Sequence, residues 1–113
     1  MIYIPDVVKK AGLEKKGYFS VTISASWCGP CQAMKPEIKK AQKAGYAVFV
    51  WTTDDPRSPL RDIGHRYDNL YDAYPTTLIF KDGKHIHTLV GGLTLADFKR
   101  HLKLNPKKPD YKI

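Results

Sequence analysis

The chain has only two cysteines, Cys28 and Cys31, and two residues separate them. A strand-like run at 18–25 ends shortly before this pair, and a helix-like stretch at 32–44 follows it directly. A thiol at such a junction lies at a helix N-terminus, where free backbone N–H groups and the helix dipole stabilise an anion. The pattern therefore favours a Cys28 thiolate that attacks a disulfide, with Cys31 then resolving the mixed disulfide.

The residues around the pair suit this chemistry. Trp27 directly precedes Cys28 and is expected to shield the site. Pro30 stiffens the turn at a helix position where its missing N–H costs little. The segment Trp27-Cys28-Gly29-Pro30-Cys31 therefore indicates a catalyst of dithiol–disulfide exchange.

The cysteine spacing allows two other interpretations. The first is half of a zinc site, for which the remaining ligands would be histidines: His65, His85, His87 and His101. None of these has the H-x3-5-H spacing, there is no second cysteine pair, and His85 and His87 are expected to face solvent on a strand. The second is a structural disulfide, but a bridge that closes so short a loop restrains the unfolded chain little. Redox chemistry is the favoured interpretation.

Beyond the cysteines, the sequence resembles the thioredoxin family at landmarks that follow the family's order over about residues 18–103. The segment from Trp27 to Cys31 has the thioredoxin form, and Pro36 stands where the family's active-site helix carries a kinking proline. Tyr74-Pro75-Thr76 resembles the family's cis-proline loop. Val90-Gly91-Gly92 resembles its glycine turn before the last helix.

The resemblance implies an α/β, thioredoxin-like fold with a mixed central β-sheet flanked by helices on both faces. Cys28 and Cys31 would be the catalytic pair, with Trp27, Gly29 and Pro30 completing the motif. The Tyr74–Pro75 bond would be cis. A groove for the target would be lined by Trp27, Tyr74, Pro75, Thr76, Gly91 and Gly92. The redox-active Cys28–Cys31 disulfide would carry the electrons, so no metal and no dissociable cofactor are expected.

The chain departs from the family beneath the motif. Six residues before Cys28, where thioredoxins generally carry a buried aspartate, it has Thr22. The family's lysine partner is also missing, since its place falls at about Val50 or Trp51. Because both the aspartate and the lysine are missing, neither is left as a buried charge without its partner. Because a hydroxyl is a poor base at neutral pH, the acceptor of the Cys31 proton is left open.

The elements that position these residues follow from hydrophobic periodicity. In the 18–25 strand, apolar residues alternate with Ser20, Thr22 and Ser24. The resemblance makes this strand central and covered on both sides. A larger side chain is then expected to fill the space beside its hydroxyls, and the candidates are Trp51, Tyr67 and Tyr71.

Helices and a hairpin complete the predicted domain. The helix after Cys31 has an inward stripe of Met34, Ile38 and Ala41. Asp82-Gly83 predicts a hairpin between strands at 76–80 and 84–90. Thr94 and Asp97 suggest a capping box for a last helix, with Leu95, Phe98 and Leu102 facing inward. Further short helices are predicted from about Asp6 and near 59–66.

Length and composition predict one thioredoxin-like domain over residues 1–113, with an irregular basic tail at 104–113. Hydrophobic residues make up 42% and charged residues 27%, as in ordinary globular proteins. No apolar run reaches membrane-spanning length, and the first residues lack the pattern of a signal peptide. The chain is therefore expected in the reducing cytoplasm, where a lone C-x-x-C is more often catalytic than structural.

The net charge of +8 raises the question of an acidic partner. Its lysine pairs are scattered over separate regions, so a solvated basic surface is favoured over nucleic-acid binding.

The leading function is a thiol–disulfide oxidoreductase that reduces protein disulfides, with roles in electron transport and cell redox homeostasis. Its partners would be disulfide-containing proteins, and a thioredoxin reductase or small thiols would supply electrons to a monomer. The alternatives are a disulfide oxidase or isomerase, or a thioredoxin-like accessory binding subunit, for example in a nucleic-acid complex.

Overall fold

A computed structural model describes residues 17–53 and 73–103. These residues form four strands and two helices, in the order β1 (Tyr18–Ser24), α1 (Gly29–Lys43), β2 (Val48–Thr52), β3 (Thr76–Lys81), β4 (Lys84–Val90) and α2 (Leu95–His101). The strands form one sheet in the order β2-β1-β3-β4. Strand β1 pairs parallel with β2 and antiparallel with β3, and β3 pairs antiparallel with β4. The expected mixed sheet with a central β1 is confirmed.

Both described helices pack against one face of the sheet and against each other. The predicted stripe of α1 is buried, with Met34 2%, Ile38 4% and Ala41 0% exposed. Phe98 and Leu102 from the α2 region complete this core together with Val48 and Ile79 of the sheet. Burying a side chain such as Phe98 stabilises the fold by about 1.5–3 kcal/mol, so this shared core holds both helices on the sheet.

The opposite face of the sheet is also buried and is aromatic. Phe19 of β1 stacks on Phe80 of β3 with ring centroids 4.6 Å apart, and it meets Phe49 edge-on at 6.4 Å. The helices predicted from Asp6 and near 59–66 lie outside the described residues, as does the predicted tail at 104–113. Within the described residues, neither helix is long and apolar enough to cross a membrane.

The hydroxyl residues of β1 lie on the α1 side of the sheet, and they are buried. Ser20, Thr22 and Ser24 are at most 5% exposed. Trp51, one of the three candidates to fill the space beside them, does not do so. The strand register pairs Trp51 with Ile23 and Val50 with Thr22, so Trp51 lies on the other face. The other two candidates, Tyr67 and Tyr71, lie outside the described residues.

Local sequence signals set the ends of the helices. Gly45, with φ 100°, follows α1 and ends it. At the start of α2 the capping box is present, since the Thr94 hydroxyl accepts from the Asp97 N–H and the Asp97 carboxylate accepts from the Thr94 N–H. Glu37 of α1 also accepts a hydrogen bond from the Leu95 N–H, 3.1 Å away, and so ties the two helices together.

The β3–β4 hairpin turns at Asp82-Gly83, as predicted. Both residues have positive φ, 52° and 81°, as a two-residue hairpin turn requires. A bulge then puts His85 opposite Phe80 but His87 opposite Ile79. The two histidines therefore lie on opposite faces, and only His87 is exposed. The prediction that both face solvent is wrong for His85, which is half-buried beside the Phe80 ring at 5.6 Å.

Candidate active site

Cys28 and Cys31 form a disulfide at the N-terminus of α1, with their Cα atoms 5.2 Å apart. Cys28 is the N-cap residue, with extended backbone angles (φ −87°, ψ 115°), and Cys31 lies in the first turn. The Cys28 sulfur accepts a hydrogen bond from the Cys31 N–H at 3.2 Å. The sulfur thus takes the place that a hydroxyl or carboxylate oxygen takes at other helix N-termini. In the reduced protein, this position favours a Cys28 thiolate.

Both cysteines are buried in the oxidised pair. Cys28 is 5% and Cys31 2% exposed, so the two residues differ little in exposure. They pack together with Ala25 and against Tyr74. What separates the two sulfurs is therefore their place in the helix more than their exposure.

The Trp27 side chain is 71% exposed beside this buried pair. It meets Tyr74 edge-to-face, with ring centroids 5.3 Å apart and an interplanar angle of 84°. Such an edge-to-face pair contributes about 0.5–1.5 kcal/mol beyond the area it buries. The two rings therefore form a defined apolar ridge next to the disulfide that leaves most of the indole accessible to a docking chain.

The Tyr74–Pro75 bond is cis, which confirms the prediction. The Pro75 carbonyl accepts a hydrogen bond from the Gly91 N–H at 2.9 Å, so the proline loop and the glycine turn are joined. Gly91 has φ 98°, a conformation that side chains disfavour. Thr76 is fully buried, and its hydroxyl donates a hydrogen bond to the Ala73 carbonyl at 2.6 Å. This hydrogen bond spans the Tyr74–Pro75 segment and stabilises the proline loop.

The structure brings the predicted groove residues to one end of the sheet. Tyr74 packs on the cysteine pair, Trp27 contacts Tyr74, and Gly91 binds Pro75. Gly92 is exposed, and so is Val90, with 65% of its surface accessible. Exposed apolar side chains around a buried disulfide suit the docking of a polypeptide.

A pocket of about 260 Å³ lies behind Cys31, between α1 and the sheet. Its walls are aliphatic and hydroxylated, and its polar lining residues are Thr22, Ser24, Cys31, Lys35, Lys39 and Thr52. The Thr22 and Thr77 hydroxyls are hydrogen-bonded at 2.9 Å on the same face of the sheet. Thr22 therefore has a protein partner, and no carboxylate is among the described residues that line the pocket.

Sequence reasoning missed the pocket and the contributions of Lys35, Lys39 and Thr77. The two lysines are i, i+4 on α1, and that spacing alone signals a shared helix face. Thr77 is next to Thr22 because β1 pairs with β3, which a local pattern does not reveal. Among residues 17–53 and 73–103, no group of three or more His, Cys, Asp or Glu side chains could hold a metal ion.

Comparison with known protein families gives one match over most of the chain. The family described as Thioredoxin matches residues 7–104. Thioredoxin 1 of Synechococcus elongatus is 34% identical over 101 residues, which cover 83% of this chain and 89% of that protein. A Thioredoxin H-type of Picea mariana is 32% identical over 79 residues, or 70% of this chain and 60% of that protein. The chain thus spans less than two thirds of the length of this second relative.

Solved structures give the same fold. Reduced Schistosoma mansoni thioredoxin pre-protein superposes with a TM-score of 0.62 and 26% identity, over 84% of this chain and 85% of that chain. Oxidised mitochondrial thioredoxin 3 of Saccharomyces cerevisiae gives a TM-score of 0.58 and 29% identity, over 84% of this chain and 87% of that one.

Proposed function

Because this chain belongs to the thioredoxin family, we propose that it is a thiol–disulfide oxidoreductase that reduces protein disulfides through Cys28 and Cys31. The observation that carries the proposal is the position of the pair. The Cys28 sulfur caps α1 and accepts the Cys31 N–H, beside an exposed apolar ridge. This places a nucleophilic sulfur and its resolving partner within one helical turn.

The reaction proceeds by two exchanges between sulfurs. The Cys28 thiolate attacks one sulfur of the target disulfide, forms a bond to it, and releases the other sulfur as a thiolate that takes up a proton. Cys31 then loses its proton and attacks Cys28, the Cys28–Cys31 bond forms, and the bond to the target breaks. The target disulfide gains two electrons, and the protein's dithiol becomes a disulfide.

The substrate is an extended polypeptide that carries a disulfide. Trp27 and Tyr74 offer an aromatic contact beside the cysteines, and the neighbouring glycine turn leaves room for a chain, because a Cβ at Gly91 or Gly92 would meet nothing within 4 Å. The backbone at the cis Pro75 loop is the place where an extended segment would pair.

The Cys28–Cys31 pair carries the electrons itself, so the proposed reaction uses no metal and no dissociable cofactor. A thioredoxin reductase or small thiols would reduce the pair again. We place the protein as a monomer in the cytoplasm, in electron transport and redox homeostasis, because a reducing compartment keeps such a pair available.

An assay of insulin reduction tests the proposal. With dithiothreitol as electron source, the protein should accelerate the turbidity that marks precipitation of insulin chains. Cys28→Ser should abolish the acceleration, whereas Cys31→Ser should trap a mixed disulfide visible by mass spectrometry. No acceleration by the wild-type protein would overturn the proposal. If the protein does accelerate insulin reduction, equilibration with glutathione gives the reduction potential of the Cys28–Cys31 pair. A low potential indicates a reductase, and a higher one indicates an oxidase or isomerase.

A further inference from the structure

The pocket behind Cys31 has the composition of an anion site. Its exposed side chains are Lys35 and Lys39, so they lie where the pocket meets solvent. Within the described part of the chain neither lysine pairs with a carboxylate, whereas Lys40 of the same helix is bound to Glu37 at 2.9 Å. Two ammonium groups one helical turn apart therefore face this opening without a described counter-charge.

The interior of the pocket can receive the polar end of a small molecule. Thr22, Ser24 and Thr52 line it with hydroxyl-bearing side chains. The Thr22 hydroxyl shares a hydrogen bond with the Thr77 hydroxyl, and when Thr77 is the donor the Thr22 proton remains available to an anion. Its volume of about 260 Å³ compares with the ~30 Å³ that a water molecule takes up in the liquid, so more than a single water fits. The aliphatic part of the wall comes from residues such as Met34, Ile38 and Val50, which suit a short carbon chain.

Cys31 links this pocket to the chemistry. Cys31 is 2% exposed and is one of the residues that line the pocket, whereas Trp27 and Tyr74 of the apolar ridge are not among them. A molecule bound there is therefore next to the resolving residue and away from the ridge on which a target docks. The only titratable groups among the described lining residues are Cys31 itself and the two lysines, and protonated lysines cannot accept a proton.

We propose that this pocket binds a small carboxylate, which serves as a removable proton acceptor for Cys31. The proposal rests on the function proposed above. The carboxylate takes the Cys31 proton, the Cys31 thiolate attacks Cys28, and the Cys28–Cys31 bond forms. The bond from Cys28 to the target sulfur breaks, and the electron pair leaves on that sulfur, which is protonated from solvent. The bound acid then gives its proton to water. Release of the target thereby depends on the supply of a small organic acid.

The test separates attack from release by using a neutral target, because a charged one would compete for the pocket. Reduced protein is mixed in stopped flow with one equivalent of dithiodipyridine. The first thiopyridone released reports attack by Cys28, and the second reports resolution by Cys31. Both are followed at neutral pH, at constant ionic strength, in a buffer that contains no carboxylate. Acetate is then titrated in as the probe.

Acetate should accelerate the second phase by at least about fivefold, with saturation, and leave the first phase unchanged. Sulfate at the same ionic strength is a much weaker base and should not accelerate it. The double variant Lys35→Gln/Lys39→Gln should need about fivefold more acetate for the half-maximal effect, because two attractive charges are lost. The matched variant Lys43→Gln, on the same helix but outside the pocket lining, should behave like the wild-type protein.

Direct binding gives an independent readout. In the Cys28→Ser/Cys31→Ser variant, acetate should shift the amide resonances of Thr22 and Val50 in a saturable way. A second phase that ignores acetate, or responds linearly and equally to sulfate, would overturn the carboxylate site while two thiopyridone phases still support the oxidoreductase. Absence of both phases would instead overturn the proposed function.

Discussion

The backbone N–H of Cys31 donates a hydrogen bond to the Cys28 sulfur across 3.2 Å, so the nucleophile is held by the residue that later displaces its target. A thiolate gains more from such a donor than a thiol does, because hydrogen bonds to charged acceptors are stronger. The start of α1 adds its dipole in the same sense. We therefore expect Cys28 to be the more acidic thiol of the reduced protein.

Limited alkylation followed by mass mapping measures this difference. Cys28 should react first, and its reaction should persist below the pH at which an ordinary thiol with a pKa of ~8.5 is protonated. Cys31→Ser retains the backbone donor, so Cys28 should stay reactive in it, whereas Cys31 in the Cys28→Ser variant should react slowly. Preferential labelling of Cys31 in the wild-type protein would contradict the assignment of the nucleophile.

The Gly91 backbone provides a second prediction. Its φ of 98° disfavours any side chain, while a Cβ there would have open space. Gly91→Ala should therefore destabilise the protein by about 1–2 kcal/mol through backbone strain alone. Because Gly91 binds the Pro75 carbonyl, insulin reduction should slow as well.

Gly92→Ala is the matched control for this strain. Gly92 also has open space, but its φ lies outside the positive range. Urea unfolding should therefore leave the control within about 0.5 kcal/mol of the wild-type protein. Equal losses in the two variants would show that strain at Gly91 is not the cause.

Buried hydroxyls on β1 give a third prediction. Removing the hydroxyl should affect the free energy of unfolding differently at Ser20 and at Thr22. The Ser20 Oγ atom is buried and has no hydrogen-bond partner among the described residues. Ser20→Ala should leave the free energy of unfolding unchanged or raise it by about 1 kcal/mol, because a desolvated hydroxyl is removed. Thr22→Val should lower it by about 1–3 kcal/mol, because the fully buried Thr77 hydroxyl loses its partner. Denaturant unfolding of both variants checks this, and a loss at Ser20 as large as that at Thr22 would contradict it.

The parts of the fold that local sequence encodes could be predicted. The hairpin turn depends on the positive φ values of Asp82 and Gly83, which these residue types adopt readily. The cap of α2 depends on Thr94 and Asp97, which are only three residues apart. The cis Tyr74–Pro75 bond was expected from the resemblance, which carries information that propensities do not.

Features that depend on pairing between strands could not be predicted. Trp51 lies away from the hydroxyl face because of the β1–β2 register, and His85 turns inward because of a bulge on β4. The pocket behind Cys31 likewise exists only once α1 packs on the sheet. Each of these arises from a contact between segments, so no window along the sequence contains it.

The link between the two helices provides a prediction about pH. The pKa of Glu37 lies below its ordinary value of 4.5, chiefly because Lys40 donates a hydrogen bond to the carboxylate and also because the Leu95 N–H does. A carboxylate with a lowered folded-state pKa stabilises the fold fully above its unfolded-state pKa, and this contribution is lost as pH falls through the folded-state value. Glu37→Gln should therefore lower the melting temperature at neutral pH. The difference in melting temperature between this variant and the wild-type protein should shrink once the pH falls below the folded-state pKa of Glu37. A melting-temperature difference that does not depend on pH would contradict this role of Glu37.

The last prediction concerns how release of the target depends on pH, and it rests on Thr22. Thr22 lines the pocket with Cys31 and has no charge, and the described lining residues include no carboxylate. In a buffer without carboxylates we therefore expect deprotonation of Cys31 to rely on solvent. The rate of the second thiopyridone phase should then rise with pH between about pH 6 and about pH 9, as the pH approaches the pKa of the thiol itself. It should not level off near neutral pH. Thr22→Asp places a fixed carboxylate in the pocket. It should raise the rate at neutral pH, produce a plateau, and make added acetate ineffective, at a cost in stability because the charge is buried.

Thr22→Asn is the matched control, because it has the size of aspartate but offers no base. It should keep the wild-type pH profile while sharing the loss of the Thr22–Thr77 hydrogen bond. If the wild-type rate already levels at neutral pH and Thr22→Asp leaves it unchanged, another group accepts the Cys31 proton. If Thr22→Asn raises the rate as much as Thr22→Asp does, the effect comes from altered packing behind Cys31 and not from the carboxylate.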